Sequence, residues 1–289
     1  MIKNYSGNGF KKGKLVFMRD ALFQQFATVI HQQFGIQLPM DKKALLESRL
    51  FKLLNNNVGK PEYANEEAFL RYVQNDVTGK ALAQLSEVIT THHTFFMREQ
   101  DHFQFFGDTV LPELENYIKD GDVRTWCAAC SSGEESYTLA MQLHDFFGIR
   151  GPGWEYTLLA TDLSREILET AKQGIYSAES VATLPPRWQS TYFKKCDAFN
   201  FQVNASLKQR VLYRPFNLMN PVFPFKRPFH VIFCRNVMIY FDTPTRNELV
   251  KKFYDFLEPG GYLFVGHSEV IDRTVAPFDY VMPSVYRRR

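Results

Sequence analysis

The sequence predicts an α/β protein in which an all-helical N-terminal domain precedes a mostly parallel, Rossmann-like sheet with a small β insertion. Three observations support this fold class. Apolar residues recur at helical spacing between residues 19 and 90, strand-like runs alternate with helical patterns from Arg124 onward, and the alternation lapses between residues 187 and 211. Strands that alternate with helices form a parallel sheet covered on both faces.

The N-terminal segment shows no period-2 alternation. Its apolar residues Leu22, Phe26 and Ile30 are spaced as on one helix face. Glycines and prolines divide the segment into about four short helices, and these residues are Gly35, Pro39, Gly59, Pro61 and Gly79.

The remainder predicts strands and helices in turn. Strands are expected at residues 124–130, 156–160, 211–214, 229–234 and 262–266, with 280–286 returning antiparallel. Helices are expected at residues 134–147, 164–173 and 243–257. Ser164 and Thr243 are the expected N-caps of the last two helices, and Pro244 lies in the first turn after Thr243.

These patterns set the expected domain boundaries. Residues 1–17 form a tail, residues 18–90 the helical domain, and residues 91–289 the α/β domain, in which 187–214 is a small β subdomain.

The composition is typical of a soluble globular protein. The 289 residues are 45% hydrophobic and 22% charged, and they lack the ~18 consecutive apolar residues of a membrane-spanning helix. The N-terminus has no secretory apolar run, and four cysteines are too few for a disulfide scaffold. We therefore expect a cytoplasmic protein with no direct membrane insertion.

The net charge of +3 does not indicate nucleic-acid binding, but it is unevenly distributed. Residues 1–80 contain 12 Lys and Arg against 7 Asp and Glu, a net charge of +5, so the rest of the chain is slightly acidic. A basic front end favours an acidic partner, although a solvated helix surface is the better interpretation of any single charge in it.

The ends of the first two predicted strands carry acidic residues. The first ends in CSSGEE at residues 130–135, where Gly133 stands alone and the dinucleotide fingerprint G-x-G-x-x-G is absent. Glu134 and Glu135 suit a cationic ligand group better than a pyrophosphate. Asp162 follows the second strand, where a carboxylate can accept hydrogen bonds from both ribose hydroxyls. Together they indicate a nucleoside without phosphate, such as S-adenosylmethionine (SAM).

No metal site is predicted. Cys127 and Cys130 form a C-x-x-C without a second pair, and His92, His93 and His267 lack companion carboxylates at helical spacing. Cys196 and Cys234 are candidate buried thiols, and the Phe-rich stretch 95–106 is interpreted as core packing rather than a surface for base stacking.

Over nearly its whole length the chain resembles the CheR family, the SAM-dependent protein-glutamate O-methyltransferases of bacterial chemotaxis. The segments that carry the resemblance are TTHHTFFMRE (90–99), WCAACSSGEESY (126–137), ATDLSREILETAKQGIY (160–176), FCRNVMIYFD (233–242), PGGYLFVGHSE (259–269) and PSVYRRR (283–289). The fold it implies is a Rossmann-like SAM-dependent methyltransferase sheet.

The resemblance implies roles for individual residues. The residues it assigns to SAM binding are His92, Thr94, Arg98, Glu134, Asp162, Asn217, Leu218, Arg235 and Asn236. Glu134 would meet the methionine amino group and Asp162 the ribose, while Tyr240 would lie at the transferred methyl. The family usually has Asn at the position of His92 and Phe at that of Met97. Arg98 and Tyr240 are the expected catalytic residues, with Arg98 orienting a carboxylate of either the substrate or SAM.

The resemblance also implies a partner, the glutamate-rich helical methylation region of chemoreceptors. Lys42, Arg49 and Lys52 fall within an arc of roughly 80° on one predicted helix and are the expected substrate-docking residues. Some family members grip a C-terminal receptor pentapeptide through a glycine-containing loop. Residues 194–210 contain no glycine, so we expect no such tether.

The expected reaction is methyl transfer from SAM to receptor glutamates, which yields glutamate methyl esters and S-adenosyl-L-homocysteine without a metal. Two alternatives are the same chemistry on another signalling protein and a SAM-sensing module without turnover. A nicotinamide oxidoreductase is disfavoured by the missing glycine fingerprint.

Overall fold

The computed structural model describes residues 18–289, and the predicted tail at 1–17 lies outside them. The α-helices are α1 (Asp20–Phe34), α2 (Lys43–Asn55), α3 (Glu66–Asn75), α4 (Lys80–Ile89), α5 (Gln100–Phe105), α6 (Leu111–Tyr117), α7 (Glu134–Phe147), α8 (Arg165–Gln173), α9 (Ala178–Ala182), α10 (Pro186–Tyr192), α11 (Ala205–Lys208) and α12 (Thr243–Asp255). The strands are β1 (Thr125–Ala128), β2 (Leu158–Asp162), β3 (Ile175–Ser177), β4 (Phe193–Lys195), β5 (Asn200–Val203), β6 (Val211–Pro215), β7 (Phe229–Phe233), β8 (Leu257–Phe264), β9 (Phe278–Met282) and β10 (Val285–Arg288).

The four predicted N-terminal helices are confirmed as α1–α4, and they enclose a core of their own. Phe23, Phe26, Leu50, Phe69 and Leu85 are fully buried in it. Helix α1 ends at Gly35, whose φ of 71° is left-handed and lets the chain turn away from the helix axis.

The main sheet has the strand order β6-β2-β1-β7-β8-β10-β9. Its first five strands are mutually parallel, and β10 pairs antiparallel with both β8 and β9. The order reverses beside β1, which is the topological switch point of a Rossmann-like sheet. The predicted fold class is therefore confirmed.

Two apolar cores cover the two faces of this sheet. Successive side chains of β1 point to opposite faces and therefore pack in different cores. Trp126 is fully buried against a cluster that includes Phe229 and Phe253, whereas Cys127 faces the other core. The Phe-rich stretch packs in that second core, where Phe103 stacks on Phe233. The interpretation of this stretch as core packing is confirmed for Phe96, Phe103 and Phe106, which are buried, whereas Phe95 is 46% exposed.

The insertion is a second, antiparallel sheet with the order β3-β5-β4. Its expected boundaries of 187–214 are shifted, because the sheet begins at Ile175 and Val211–Pro215 pairs with β2 in the main sheet. The strand Ile175–Ser177 has only three residues and directly follows Gly174, so the sequence pattern does not predict it as a strand.

Two local predictions near the C-terminus were wrong. Asp242 rather than Thr243 caps α12, since its carboxylate accepts a hydrogen bond from the Thr245 amide at 2.9 Å. The single return strand at 280–286 is a hairpin of β9 and β10, because Ser284 adopts a left-handed φ of 62° between them. Ser164 does cap α8, as predicted.

Within residues 18–289, no helix combines the length and the apolar character that crossing a membrane requires.

Candidate functional site

A cavity lies at the carboxyl ends of β1, β2 and β7, at the switch point of the sheet, and the helical domain contributes to its wall. Phe34, Ile36 and Ile89 line it from the helical side. The predicted site residues that line it are His92, Thr94, Arg98, Asp162, Asn217, Leu218, Arg235, Asn236 and Tyr240. Of the predicted SAM-binding and catalytic residues, the structure therefore brings all but Glu134 to one cavity wall.

The backbone around the cavity is strained. Six described non-glycine residues have a left-handed φ, and five of them lie in segments that border the cavity: Met97, Glu99, Ala129, Ser131 and Asn236. Such conformations cost about 1–3 kcal/mol each and cluster where a fold must aim groups at a ligand. In the same β1–α7 turn, Gly133 has a φ of 102°, and a Cβ there would lie 2.7 Å from the Tyr176 hydroxyl.

Asp162 is held in place by the backbone at the end of β2. One carboxylate oxygen accepts from the Ser131 amide at 2.8 Å and the other from the Ser164 amide at 3.0 Å. Burial raises the pKa of Asp162, while these two amides and the nearby His92 oppose the rise. Each oxygen keeps a second lone pair, so the carboxylate can still accept two ligand hydroxyls.

The two acids of the β1–α7 turn have different surroundings. Glu135 lines the cavity, whereas Glu134 lies beside it, where its Oε2 accepts from the Ser132 hydroxyl at 2.6 Å. Glu135 Oε2 accepts from Arg235 at 2.8 Å and Oε1 from the Cys127 thiol at 3.2 Å. Burial raises the pKa of both acids. Glu135 is therefore already ion-paired with Arg235, whereas the Glu134 carboxylate accepts a hydrogen bond from one side chain, that of Ser132.

Arg235 is a buried cation shared between two acids. Its Nη1 donates to Glu135, and its Nη2 donates to Glu99 Oε2 at 2.8 Å and to the Arg98 carbonyl. Burial alone would raise the pKa of Glu99, but Arg235 lowers it to about 2. Because its guanidinium donates to these three partners, Arg235 holds the segments of the cavity wall together. Its predicted contact with SAM would therefore be indirect, through the groups that it positions.

A buried carboxylate that the sequence did not single out holds the loop before Tyr240. Glu269 accepts from the backbone amides of Asn236 at 2.9 Å, Ile239 at 3.2 Å and Gly266 at 2.5 Å, and it is 1% exposed. Tyr240 is 38% exposed at the end of this loop. The signal available in the sequence was an acid directly after the predicted strand 262–266, in the segment GHSE at 266–269.

The helical domain is hydrogen-bonded directly to the cavity loops. The Gln37 amide donates to the Tyr240 carbonyl at 2.8 Å, and Asn217 Nδ2 donates to the Gln33 carbonyl at 2.8 Å. Glu87 of α4 accepts from the Arg165 amide at 2.8 Å and from the Ser164 hydroxyl. The N-terminus of α8, three residues after Asp162, is therefore capped from the other domain.

The three predicted docking residues do not share one environment. Lys42 and Lys52 are exposed, but Lys42 lies in the short 3₁₀ turn before α2. The guanidinium of Arg49 donates to the carbonyls of Val88 and Thr90, both at 2.9 Å. Arg49 thus anchors the end of α4 next to the cavity-lining segment 90–94, unlike the two lysines, and its role in docking stays a prediction.

The cysteine thiols are not candidate nucleophiles, although Cys130 lines the cavity. Cys127, Cys130 and Cys234 are buried, and burial raises their pKa well above the ordinary value, so they remain protonated. Cys196 is exposed, contrary to expectation, because it lies in the turn between β4 and β5.

Together these groups fit a nucleoside with a charged side chain. Asp162 offers acceptors for ribose hydroxyls, the half-buried Arg98 lines the same wall, and apolar residues such as Leu163 and Phe216 cover the remaining surface. Among the described lining residues there is neither a Ser-His nor a Cys-His hydrogen-bonded pair of the kind used in nucleophilic catalysis.

Comparisons with known proteins point the same way. Residues 92–286 match a family model described as CheR methyltransferase, SAM binding domain. The chain is 38% identical to the chemotaxis protein methyltransferase of Borreliella burgdorferi over 263 residues, which cover 90% of this chain and 91% of the relative. It is 34% identical to that of Escherichia coli over 255 residues, which cover 87% and 85%.

Asp162→Ala should weaken SAM binding by ~1–3 kcal/mol, because buried hydroxyls of the ligand would lose their acceptor. Isothermal titration calorimetry measures this change. The exposed Asp279→Ala variant is the control, and thermal unfolding without ligand separates lost affinity from a loosened Ser131–Ser164 region. Unchanged affinity in Asp162→Ala would remove this residue from the binding site.

Proposed function

The chain belongs to the CheR methyltransferase family, and we propose that it methylates glutamate side chains of methyl-accepting chemotaxis receptors, with SAM as the methyl donor. The products are glutamate methyl esters and S-adenosyl-L-homocysteine. The observation that carries the proposal is the single cavity wall that joins Asp162, Arg98 and Tyr240 where the two domains meet. This activity would serve sensory adaptation in the cytoplasm.

The groups of the cavity fit SAM in charge and polarity. Asp162 would accept from the ribose hydroxyls, and Glu134, buried with one oxygen bound to Ser132, would meet the methionine amino group. The segment His92–Thr94 and the pair Asn217–Leu218 would contact the rest of the ligand. A phosphate is disfavoured, because the acids of the β1–α7 turn would repel it.

SAM supplies a sulfonium methyl group that an ionised carboxylate accepts in one displacement, in which an O–C bond forms while the S–C bond breaks and sulfur keeps the electron pair. Glutamate has an unperturbed pKa of about 4.3 and is ionised at neutral pH, so the chain needs no general base. Its task is to position the reactants. Arg98 would orient a carboxylate, that of the substrate or that of SAM, and Tyr240 would fix the geometry beside the methyl group.

The apolar part of the wall supports this chemistry. Phe34 and Ile36 from the helical domain, with Phe216 and Phe241 from the other side, reduce the water available to the reacting groups. Opposite charges neutralise each other as the reaction proceeds, so a dry site favours the transition state over the separated ions.

Receptor docking is assigned to the helical domain. Lys42 and Lys52 are exposed and suit the acidic methylation helices of a receptor by electrostatic steering. The turn between β4 and β5 contains no glycine, which favours direct docking on those helices without a pentapeptide tether. Nucleic acid and direct membrane insertion have no part in this proposal.

The proposal is tested by incubating the full chain with methyl-labelled SAM and membranes that carry receptors. Label should enter the receptor band and be released as methanol by mild base, as expected for a carboxyl methyl ester. Label in a different signalling protein would favour the alternative substrate. SAM binding without any transfer would favour a non-catalytic sensor and contradict the proposed reaction.

Tyr240→Phe should lower turnover while SAM affinity stays nearly unchanged, because the hydroxyl is assigned an interaction that matters mainly in the transition state. Methyl-transfer rates at saturating SAM and calorimetry measure the two effects. Tyr280→Phe, which alters another exposed tyrosine, is the control. Full turnover in the Tyr240 variant would exclude it from the catalytic residues.

The double variant Lys42→Glu/Lys52→Glu should strongly reduce methylation of intact receptor, because like charges would then oppose encounter. Wild-type methylation should fall with added salt. SAM affinity should not change, since both lysines lie away from the cavity.

The matched control is Lys226→Glu/Lys251→Glu, which makes the same charge change at exposed lysines of the α/β domain. Arg49 is left intact because its substitution would release α4. Normal receptor methylation in the Lys42/Lys52 variant, without salt dependence in the wild type, would assign docking to another surface.

A further inference from the structure

Three potential metal ligands converge beside the cavity, although their sequence positions gave no metal motif. Glu99 and His102 lie at the start of α5, and His267 follows β8. One ligand atom from each lies within 4.8 Å of the other two. The carboxylates that His267 lacks in its own segment are thus supplied by a different element. We propose that Glu99, His102 and His267 form a binding site for a zinc-like divalent cation.

His102 provides the strongest sign of a missing partner. It is fully buried, and its Nδ1 has no hydrogen-bond partner within the described chain. Its Nε2 lies 3.3 Å from the Pro283 carbonyl, which can only accept, so Nε2 carries the ring proton. Nδ1 therefore presents a lone pair 3.6 Å from Glu99 Oε2, another acceptor. A cation between two such atoms would turn this unfavourable pairing into coordination.

The second histidine is already oriented by a carboxylate. His267 Nε2 lies 3.1 Å from Asp101 Oδ1, and the rings of His267 and His102 are 4.7 Å apart. Ligating histidines in metal sites characteristically bond a carboxylate or a carbonyl through the ring nitrogen that does not bind the metal. Pro283 and Asp101 supply such partners to the two rings.

The donor set selects the class of cation. Two imidazoles and one carboxylate suit Zn²⁺, whereas Mg²⁺ and Ca²⁺ prefer oxygen ligands throughout. The His267 side chain is 45% exposed, which gives a path for entry and a place for water as a fourth ligand.

Arg235 limits the affinity of this site. Glu99 Oε2 already accepts from Arg235 Nη2 at 2.8 Å, so an incoming cation would share the oxygen with a guanidinium. A carboxylate oxygen has two lone pairs and can serve both, but repulsion between the two cations opposes binding. We therefore expect a reversible site that is weaker than a structural zinc centre.

The test uses the full, metal-free chain with Cys196→Ser as background, because that thiol is exposed. ZnCl₂ is titrated by calorimetry, and CoCl₂ by its visible absorption, which reports nitrogen and oxygen ligands. One equivalent should bind. His267→Ala should remove this binding, and Asp101→Asn should weaken it about tenfold. His31→Gln removes a histidine that pairs with Asp242 elsewhere, and it should bind like the background.

The side chains of His267 and Asp101 are each 45% exposed and lie outside the apolar core, so the variants should fold, and circular dichroism verifies this. Absence of one-equivalent binding in the background protein would overturn the site. Zn²⁺ affinity that is unchanged in folded His267→Ala, or equally reduced in His31→Gln, would also overturn it.

Discussion

The buried guanidinium of Arg235 is the interaction on which the cavity depends. It joins three segments that are distant in sequence: the Arg98–Glu99 turn, helix α7 through Glu135, and the end of β7. A buried charge is tolerated only when it is paired and its donors are used, and two carboxylates and a carbonyl meet that need here. Removal of Arg235 would leave two neighbouring, mostly buried acids, Glu99 and Glu135, without their shared cation in the wall of the cavity.

The helical domain forms part of the cavity wall and is hydrogen-bonded to the loops around it. Its residues form hydrogen bonds to the Tyr240 carbonyl and to the N-terminus of α8, and Ile36 packs against the core of the α/β domain. Arg49 connects the helix proposed to face the receptor with the segment that leads to His92. Helix α2, which is proposed to face the receptor, is therefore hydrogen-bonded directly to the segment 90–94 that lines the cavity.

Local pattern predicted most of the fold, because periodicity and cap residues act over a few positions. The strand ends also placed Asp162 at the cavity from sequence alone. What local pattern could not predict depended on tertiary partners. Arg49 was assigned to a basic docking stripe, and periodicity alone could not reveal that its guanidinium hydrogen-bonds to the end of α4. Glu134 and Glu135 are adjacent in sequence, and tertiary partners distinguish their surroundings, since Arg235 pairs with Glu135 and Ser132 donates to Glu134.

The order of strands has a consequence for synthesis. Because β10 lies between β8 and β9 in the sheet, β9 cannot join the sheet until β10, the later strand in the chain, has paired with β8. Likewise, the helical domain is translated first with Ile36 uncovered, and Phe241, its bridge partner, follows some two hundred residues later. At about 5–20 residues per second, the nascent helices wait at least ~10 seconds for that cover, an interval in which a chaperone could shield them.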